Sequence, residues 1–421
     1  MRRWCSVSLV ILVGYGTVSS QEAARIEAVW AAGPLEVRVG FSRPIEPGVA
    51  MALVGTKIVS GDAESRGSLN IAAARLEDGG RTLVLFTDPH SRDTDFALDL
   101  PGLAKGALKY DLRGVEVSWL EAGNDAKPVW KGWLPELEYG DAMSRLRGWV
   151  GVHALPLKLR SPGKVAFRTL ATLPKGKSTV IVRANLPFEV ELGNESAKSA
   201  PASKGGNRAE VTAESDTDPV EFALSFKTDG KVPLAFEVSF RGPGDTNDRK
   251  FARSMLTLPW APAKAPSLPP SPVAESQIIG GDPARGAAIF KGDQAKCANC
   301  HKVRGQGNEI GPDLTDLVRR DRSWVFRSIN EPSATIHPDY VPYTVLTKDG
   351  RPLVGIVRAV GADAIKVIDT EAKATTILKA EIEELRPSAT SIMPVGLLGT
   401  VGEEGVRDLI AFLTTQPADK R

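Results

Sequence analysis

Cys297-Ala298-Asn299-Cys300-His301 is the stretch on which the reading of this chain turns. Two thiols with two residues between them can each add across one vinyl group of a haem. The adjacent His then lies beneath the iron as its proximal ligand, and the cofactor becomes covalently attached. The same pattern also suits half of a tetrahedral zinc site. Zinc would need further ligands, and the remaining cysteine, Cys5, sits in a segment that reads as removable. His90, His153, His337 and the carboxylates stand at no recognisable zinc spacing. The residues point to one c-type haem.

Working outward, Gly281-Asp282-Pro283-Ala284-Arg285-Gly286-Ala287-Ala288-Ile289-Phe290 opens the region. Asp282 suits a helix N-cap, and Pro283 suits the first helical position, where its missing N–H costs nothing. Such a helix brings Phe290 toward the attachment loop. At the other end Val406, Leu409, Ile410 and Leu413 repeat with helical spacing, an amphipathic helix. Glu403 and Glu404 suit its positive N-terminal end and read as first-turn charges, not as an acid/base pair.

Gly311-Pro312-Asp313-Leu314 follows the attachment motif. In c-type cytochromes a Gly-Pro-x-Leu segment here supports the proximal face. The Pro312 carbonyl would accept the His301 ring N–H, and Leu314 would pack on the porphyrin. Ordinary turn and core roles are the alternative. A distal ligand is also needed. Besides Met1 the methionines are Met51, Met143, Met255 and Met393, and Met393 alone lies beyond the haem motif. Ser391-Ile392-Met393-Pro394-Val395-Gly396-Leu397-Leu398 reads as a loop, since Pro394 and Gly396 exclude a regular helix. Met393 can present its thioether to iron, and a soft sulfur ligand raises the reduction potential. The competing readings are Met393 as core filler and His337 as a second imidazole ligand.

His301 and Met393 are separated by more chain than a minimal c-type domain needs. The excess holds Tyr343 to Thr347, a Lys348-Asp349-Gly350 turn, Leu353 to Val360, Ile365 to Ile368, Thr375 to Leu378 and Glu381 to Leu385. Alternating apolar residues around an Asp-Gly turn predict a small antiparallel sheet or barrel, inserted at about 341–386. It would cover a haem edge, dock a redox partner or serve structure alone.

The series Cys297-x-x-Cys300-His301, Gly311-Pro312-Asp313-Leu314-Thr315, Ser328-Ile329-x-Glu331-Pro332-Ser333, Thr347-Lys348-Asp349-Gly350 and Ser391-Ile392-Met393-Pro394-x-Gly396-Leu397 resembles one family. It is the haem-binding domain of planctomycete and verrucomicrobial c-type cytochromes, the Pirellula/Verrucomicrobium type, over about 280–415. The resemblance implies His301 and Met393 as axial ligands and Cys297 and Cys300 as thioether attachments. It also implies electron transfer, frequently beside dehydrogenase modules. His337 is not part of that pattern.

The N-terminal half is different in kind. Leu35-Glu36-Val37-Arg38-Val39-Gly40-Phe41 alternates as a half-buried strand does. Further short strands (Thr82 to Phe86, Phe96 to Leu100, Val115 to Leu120, Val165 to Leu170, Thr179 to Val182, Phe188 to Leu192, Leu234 to Phe240) predict β-sandwich modules. We expect an all-β half: an immunoglobulin-like module over 22–105, a connecting segment over 106–145 and a second sandwich over 146–258. Ser196 to Asn207 reads as a flexible loop. Trp130 and Trp133 read as packing residues in preference to a sugar-stacking pair, and His153 as an ordinary imidazole. A proline-rich linker at 259–276 then leads to a largely α-helical haem domain at 277–421.

The ends and the charge set the context. Met1-Arg2-Arg3, the apolar run Val7 to Val18 and Val18-Ser19-Ser20 form a secretory signal over 1–20, too short to span a bilayer comfortably. No later segment approaches the ~20 apolar residues of a transmembrane helix. The 53 basic and 51 acidic residues balance once Arg2 and Arg3 are removed, leaving no footprint for nucleic acid. The expected function is an exported, periplasmic monohaem c-type cytochrome. It would carry single electrons between a dehydrogenase and a respiratory acceptor, as a carrier or electron-transfer subunit, with the question of enzymatic activity left open. The alternatives are a peroxidase-like haem enzyme and a haem-based sensor whose β modules bind a partner or glycan.

Overall fold

A computed structural model describes residues 24–61, 66–91, 94–123, 128–140, 154–203, 205–216, 218–262 and 278–415. The leader with Cys5, most of the proline-rich linker, Met143 and His153 lie outside the described residues.

Alternation in Glu36–Phe41 turns Val37, Val39 and Phe41 inward, where all three are fully buried. Around that strand the first module builds a seven-stranded sheet in the order Ile26–Gly33, Glu36–Phe41, Thr82–Thr87, Gly67–Glu77, Lys57–Ser60, Phe96–Leu98, Leu108–Tyr110. Gly67–Glu77 serves two partners. Its first residues pair with Lys57–Ser60 and its later ones with Thr82–Thr87, with a register shift between Ile71 and Ala73. A shift of this kind bends a strand and lets one sheet turn over its own core.

The second module packs two sheets face to face. One runs Glu195–Lys198, Phe188–Leu192, Val220–Asp229, Pro162–Ala171, Val115–Glu121, Trp130–Leu134; the other runs Ala200–Pro201, Asn207–Ser215, Gly176–Ala184, Phe236–Arg241, Arg249–Lys250. Phe167, Phe226 and Phe236 fill the space between them, with ring centroids 4.9 to 6.2 Å apart.

Two expectations for this half differ from the structure. The segment read as a connector supplies strands to both neighbours: Leu108–Tyr110 edges the first sheet, while Val115–Glu121 and Trp130–Leu134 extend the second. The stretch read as a flexible loop holds two edge strands, Glu195–Lys198 and Ala200–Pro201. Backbone pairing holds an edge strand even where its side chains are polar and exposed, so composition alone misleads there. Trp133 is buried, stacks on Trp30 at 6.2 Å and donates its indole N–H to the Arg113 carbonyl at 3.1 Å, a packing residue as expected.

In the C-terminal region Asp282 caps the helix Pro283–Lys291 by accepting the Ala284 N–H at 2.7 Å. The closing helix Gly402–Thr414 crosses it at Gly286. A Cβ on Gly286 would meet the Asp408 carbonyl oxygen at 2.0 Å, so the backbones touch where no side chain intervenes. A third helix, Arg322–Asn330, is capped by Asp321. The inserted segment forms an open five-stranded antiparallel sheet in the order Ala374–Leu378, Ala364–Ile368, Pro352–Val360, Pro342–Thr347, Ile382–Pro387.

That inserted sheet rests on the first β module. Its core of Tyr343, Val345, Val357, Ile365, Val367 and Ile377 is completed by Leu35 of the N-terminal half. The Tyr343 hydroxyl donates to the His90 carbonyl at 2.8 Å, and the Ala359 N–H donates to Asp88 Oδ1 at 2.9 Å. Beside them Asp339 Oδ1 accepts the Ser68 N–H at 2.6 Å, and the Ser91 hydroxyl donates to the Pro338 carbonyl at 2.6 Å. Lys379 lies over the Phe86 ring, 4.5 Å from its centroid. The two halves of the chain therefore meet through this junction as well as through the linker.

Candidate haem-attachment site

Cys297–Asn299 forms a single 3-10 turn, entered through Lys296 in the left-handed region (φ 50°). The His301 N–H donates to the Cys297 carbonyl at 2.9 Å, which closes the turn and sets His301 directly after the two thiols. The chain then reverses through a hairpin, Lys302–Val303 against Gln306–Gly307, and returns alongside itself. The Cys300 carbonyl accepts the N–H groups of Ile310 and Gly311 at 3.0 and 2.7 Å, and the Lys302 carbonyl accepts that of Leu314 at 2.8 Å. These bonds place residues 311–314 across from His301.

The outcome is one bond of chemical consequence. His301 Nδ1 lies 2.9 Å from the Pro312 carbonyl oxygen. A carbonyl only accepts, so Nδ1 carries the proton and Nε2 keeps its lone pair for a metal. Gly311 makes room for the ring: a Cβ there would lie 2.6 to 3.1 Å from three imidazole atoms. Burial holds the His301 pKa below the usual imidazole value, against the bond to Pro312, which favours a neutral ligating ring. Cys297 and Cys300 are free and half-buried, and burial pushes the Cys297 thiol up to about 11 and raises that of Cys300. Cys297, Ala298 and Leu314 pack on the same apolar cluster as Phe290, Val303, Leu398 and Ile410.

Of the residues expected from sequence, the structure brings Cys297, Cys300, His301, Pro312 and Leu314 together. Met393 stands on a separate loop and is not among the side chains packed on that cluster. Its N–H donates to Ser391 Oγ, and the Ser391 N–H donates to Ser333 Oγ, both at 3.1 Å. The Met393 loop is thereby tied to the Glu331-Pro332-Ser333 segment. His337 is engaged elsewhere: its Nδ1 accepts the Asp339 N–H at 3.3 Å and caps the turn Pro338–Tyr340 at the junction.

Residues 283–345 match the family model described as cytochrome c. This region is a cytochrome c domain. Its cofactor is covalently attached haem c with its iron. The donor set agrees: two unpaired thiols, an imidazole of fixed tautomer beside them and a glycine that clears space at the ring. Cytochrome c domains serve haem-based electron transfer. The match ends within the first strand of the inserted sheet and does not reach Met393.

No curated protein matches the chain. Solved structures with local likeness include the PA14 domain of the antifreeze protein MpAFP (11% identity, 23% of this chain and 53% of that one, TM-score 0.20). The PA14 sugar-binding domain from an RTX adhesin is similar over 35% of this chain and 99% of its own (11% identity, TM-score 0.25). An anti-sigma factor domain-containing protein from Clostridium clariflavum covers 56% of this chain and 92% of its own (12% identity, TM-score 0.26). The chain thus spans about half the length of the first of these. Among the described residues no helix is long and apolar enough to cross a membrane.

Sequence reasoning missed Gly311 as the clearance for the imidazole, Thr315 and Arg304 as ties of the loop, and Asp339 and Tyr343 as junction residues. The Arg304-Gly305 pair at the centre of a two-residue turn was the one local signal available. The junction contacts left only the unbroken apolar run within Thr82–Thr87.

Proposed function

We propose that this protein is an exported monohaem c-type cytochrome of the planctomycete/verrucomicrobial kind. It passes single electrons between a periplasmic dehydrogenase and a respiratory acceptor. The observation that carries the reading is the His301 Nδ1–H bond to the Pro312 carbonyl, placed beside two free thiols at the attachment spacing. Bound haem supplies the one-electron couple; the chain supplies its anchorage, ligand orientation and shielding. Cys297 and Cys300 would hold the macrocycle, His301 would offer Nε2 to the iron and Leu314 would pack against the ring.

Met393 would supply the iron's second protein ligand in this reading, supported by its place on a loop braced through Ser391 to Ser333. A thioether there would favour the ferrous state and would exclude small ligands. The β modules, joined to the inserted sheet, position the donor or acceptor.

The test is the visible and far-red spectrum of the exported protein in both oxidation states, with and without carbon monoxide. The expected result is a low-spin spectrum with the ferric methionine–iron band and no response to carbon monoxide. Met393→Ala should abolish that band and admit carbon monoxide. A high-spin, carbon-monoxide-reactive wild type would sink the carrier reading in favour of a catalytic or sensing haem.

A further inference from the structure

The hairpin that follows His301 carries an unexpected residue. Its two central positions, Arg304 and Gly305, both have positive φ, 50° and 80°, the signature of a type I′ turn. Gly305 suits that geometry. Position 304 calls for Asn, Asp or Gly, and an arginine held there is strained backbone. A strained residue persists where its surroundings hold it, and here the holders can be named.

The Arg304 guanidinium sits at the end of the closing helix. It donates to the Phe412 carbonyl at 3.2 Å and the Thr415 carbonyl at 2.5 Å, and lies 5.1 Å from the centroid of the Phe412 ring. Those carbonyls belong to the last turn, where helix bonding runs out and the dipole favours a cation. Phe412 in turn packs on Phe290 of the opening helix at 5.6 Å. At its backbone, the Arg304 N–H donates to Thr315 Oγ1 at 2.7 Å, and Thr315 donates its hydroxyl and N–H to Asp313 Oδ1 at 2.5 and 2.8 Å. Residues 300–304 and 311–315 are therefore laced at Cys300–Gly311, Lys302–Leu314 and Arg304–Thr315, with the His301–Pro312 bond between the first two rungs.

We propose that Arg304 is a positioning residue for the haem iron: it moors the laced loop to the closing helix and so fixes the Pro312 carbonyl on His301 Nδ1. The effect reaches the metal through the imidazole. A firm hydrogen bond at Nδ1 raises the basicity of Nε2, which favours the ferric state. A slack one lowers that basicity and favours the ferrous state. This inference rests on the c-type haem reading above.

Arg304→Asn separates the mooring from the turn, because Asn is the better residue for a type I′ hairpin. If Arg304 only fills the turn, the variant is at least as heat-stable as wild type and its midpoint potential is unchanged. If it moors the loop, the variant melts lower, and its ferric/ferrous equilibrium moves about tenfold toward ferrous, roughly 59 mV upward for one electron. Arg304→Lys keeps the cation without the planar guanidinium over the Phe412 ring and should recover part of both losses. An unchanged midpoint in Arg304→Asn overturns the proposal. Should Arg304→Asn yield no loaded protein, Thr315→Val cuts the same lacing from the other side, and its midpoint must rise. A wild type without covalent haem would sink the functional reading, while the melting temperatures of the variants still decide whether Arg304 moors the loop.

Discussion

The attachment loop and the junction between the inserted sheet and the first β module are held together by opposite means. The loop is local. The backbone ties that set His301 join positions close in sequence, as with Cys297 to His301, Cys300 to Gly311 and His301 to Pro312, and the Arg304 side chain adds one distant mooring at Phe412 and Thr415. The junction is built from contacts between residues hundreds of positions apart, as with Asp339 to Ser68, Tyr343 to His90 and Ala359 to Asp88. A local site can be written as a motif, since neighbours in sequence must be neighbours in space. A long-range contact needs two folded surfaces before either partner has meaning.

The largest expected effect breaks one side of the comparison alone. Replacing both attachment residues, Cys297→Ser with Cys300→Ser, should abolish covalent haem, read as loss of haem staining after denaturing electrophoresis. The junction should survive, with hydrogen-exchange protection at Ala359 unchanged. Loss of that protection would mean that the two regions fold as one unit.

Gly311→Ala comes next. The added methyl would sit 2.6 Å from an imidazole carbon, and overpacking of that kind costs about 1–3 kcal/mol. It should lower the thermal midpoint and disturb the haem spectrum together. A lowered midpoint with an unaltered spectrum would show that the ring does not depend on this clearance.

On the other side of the comparison, Tyr343→Phe removes the donor to the buried His90 carbonyl and should cost about 1–2 kcal/mol. Hydrogen exchange should quicken in Pro342–Thr347 and around His90, while the haem spectrum stays the same. A spectral change would reveal that the junction reaches the iron.

The smallest effect concerns acid. Asp408 is buried between the opening and closing helices and bonded to Arg285 at 2.6 Å, and that bond lowers its pKa. Its contribution is present above the unfolded value of about 4 and is lost as pH falls through the lower, folded value. Asp88 at the junction is raised, chiefly by desolvation, against the Ala359 N–H and Arg358 that favour its charged form. A carboxyl raised on folding opposes folding at neutral pH, and that cost fades as pH falls through its folded pKa. Acidification from neutral pH should weaken the helix pair while sparing the junction, measured by hydrogen exchange at both places. The reverse order would refute the assignment of these two carboxylates.

The inserted sheet also shows how a legible element can hide its purpose. Its strands follow from alternation and from the Lys348-Asp349-Gly350 turn, yet nothing in 342–387 reveals that Leu35 completes its core. The strand Thr82–Thr87 holds a hint in retrospect. All six of its residues are buried, an unbroken run that marks a strand covered on both faces. Its outer cover is the inserted sheet, through Lys379 over Phe86. The edge strands around Ala200 were invisible for the converse reason, since backbone pairing stabilises them and backbone carries no sequence.

By itself the sequence determined the attachment turn, the capped opening helix, the amphipathic closing helix and the β character of the N-terminal half. Each depends on residues within a few positions of one another, where spacing dictates geometry. Only the tertiary structure decided that the connector belongs to both β modules, that His337 caps a junction turn, that the inserted sheet rests on the first module, and that Arg304 reaches the end of the last helix. Those outcomes depend on which surfaces meet, and surfaces meet only after the chain has folded.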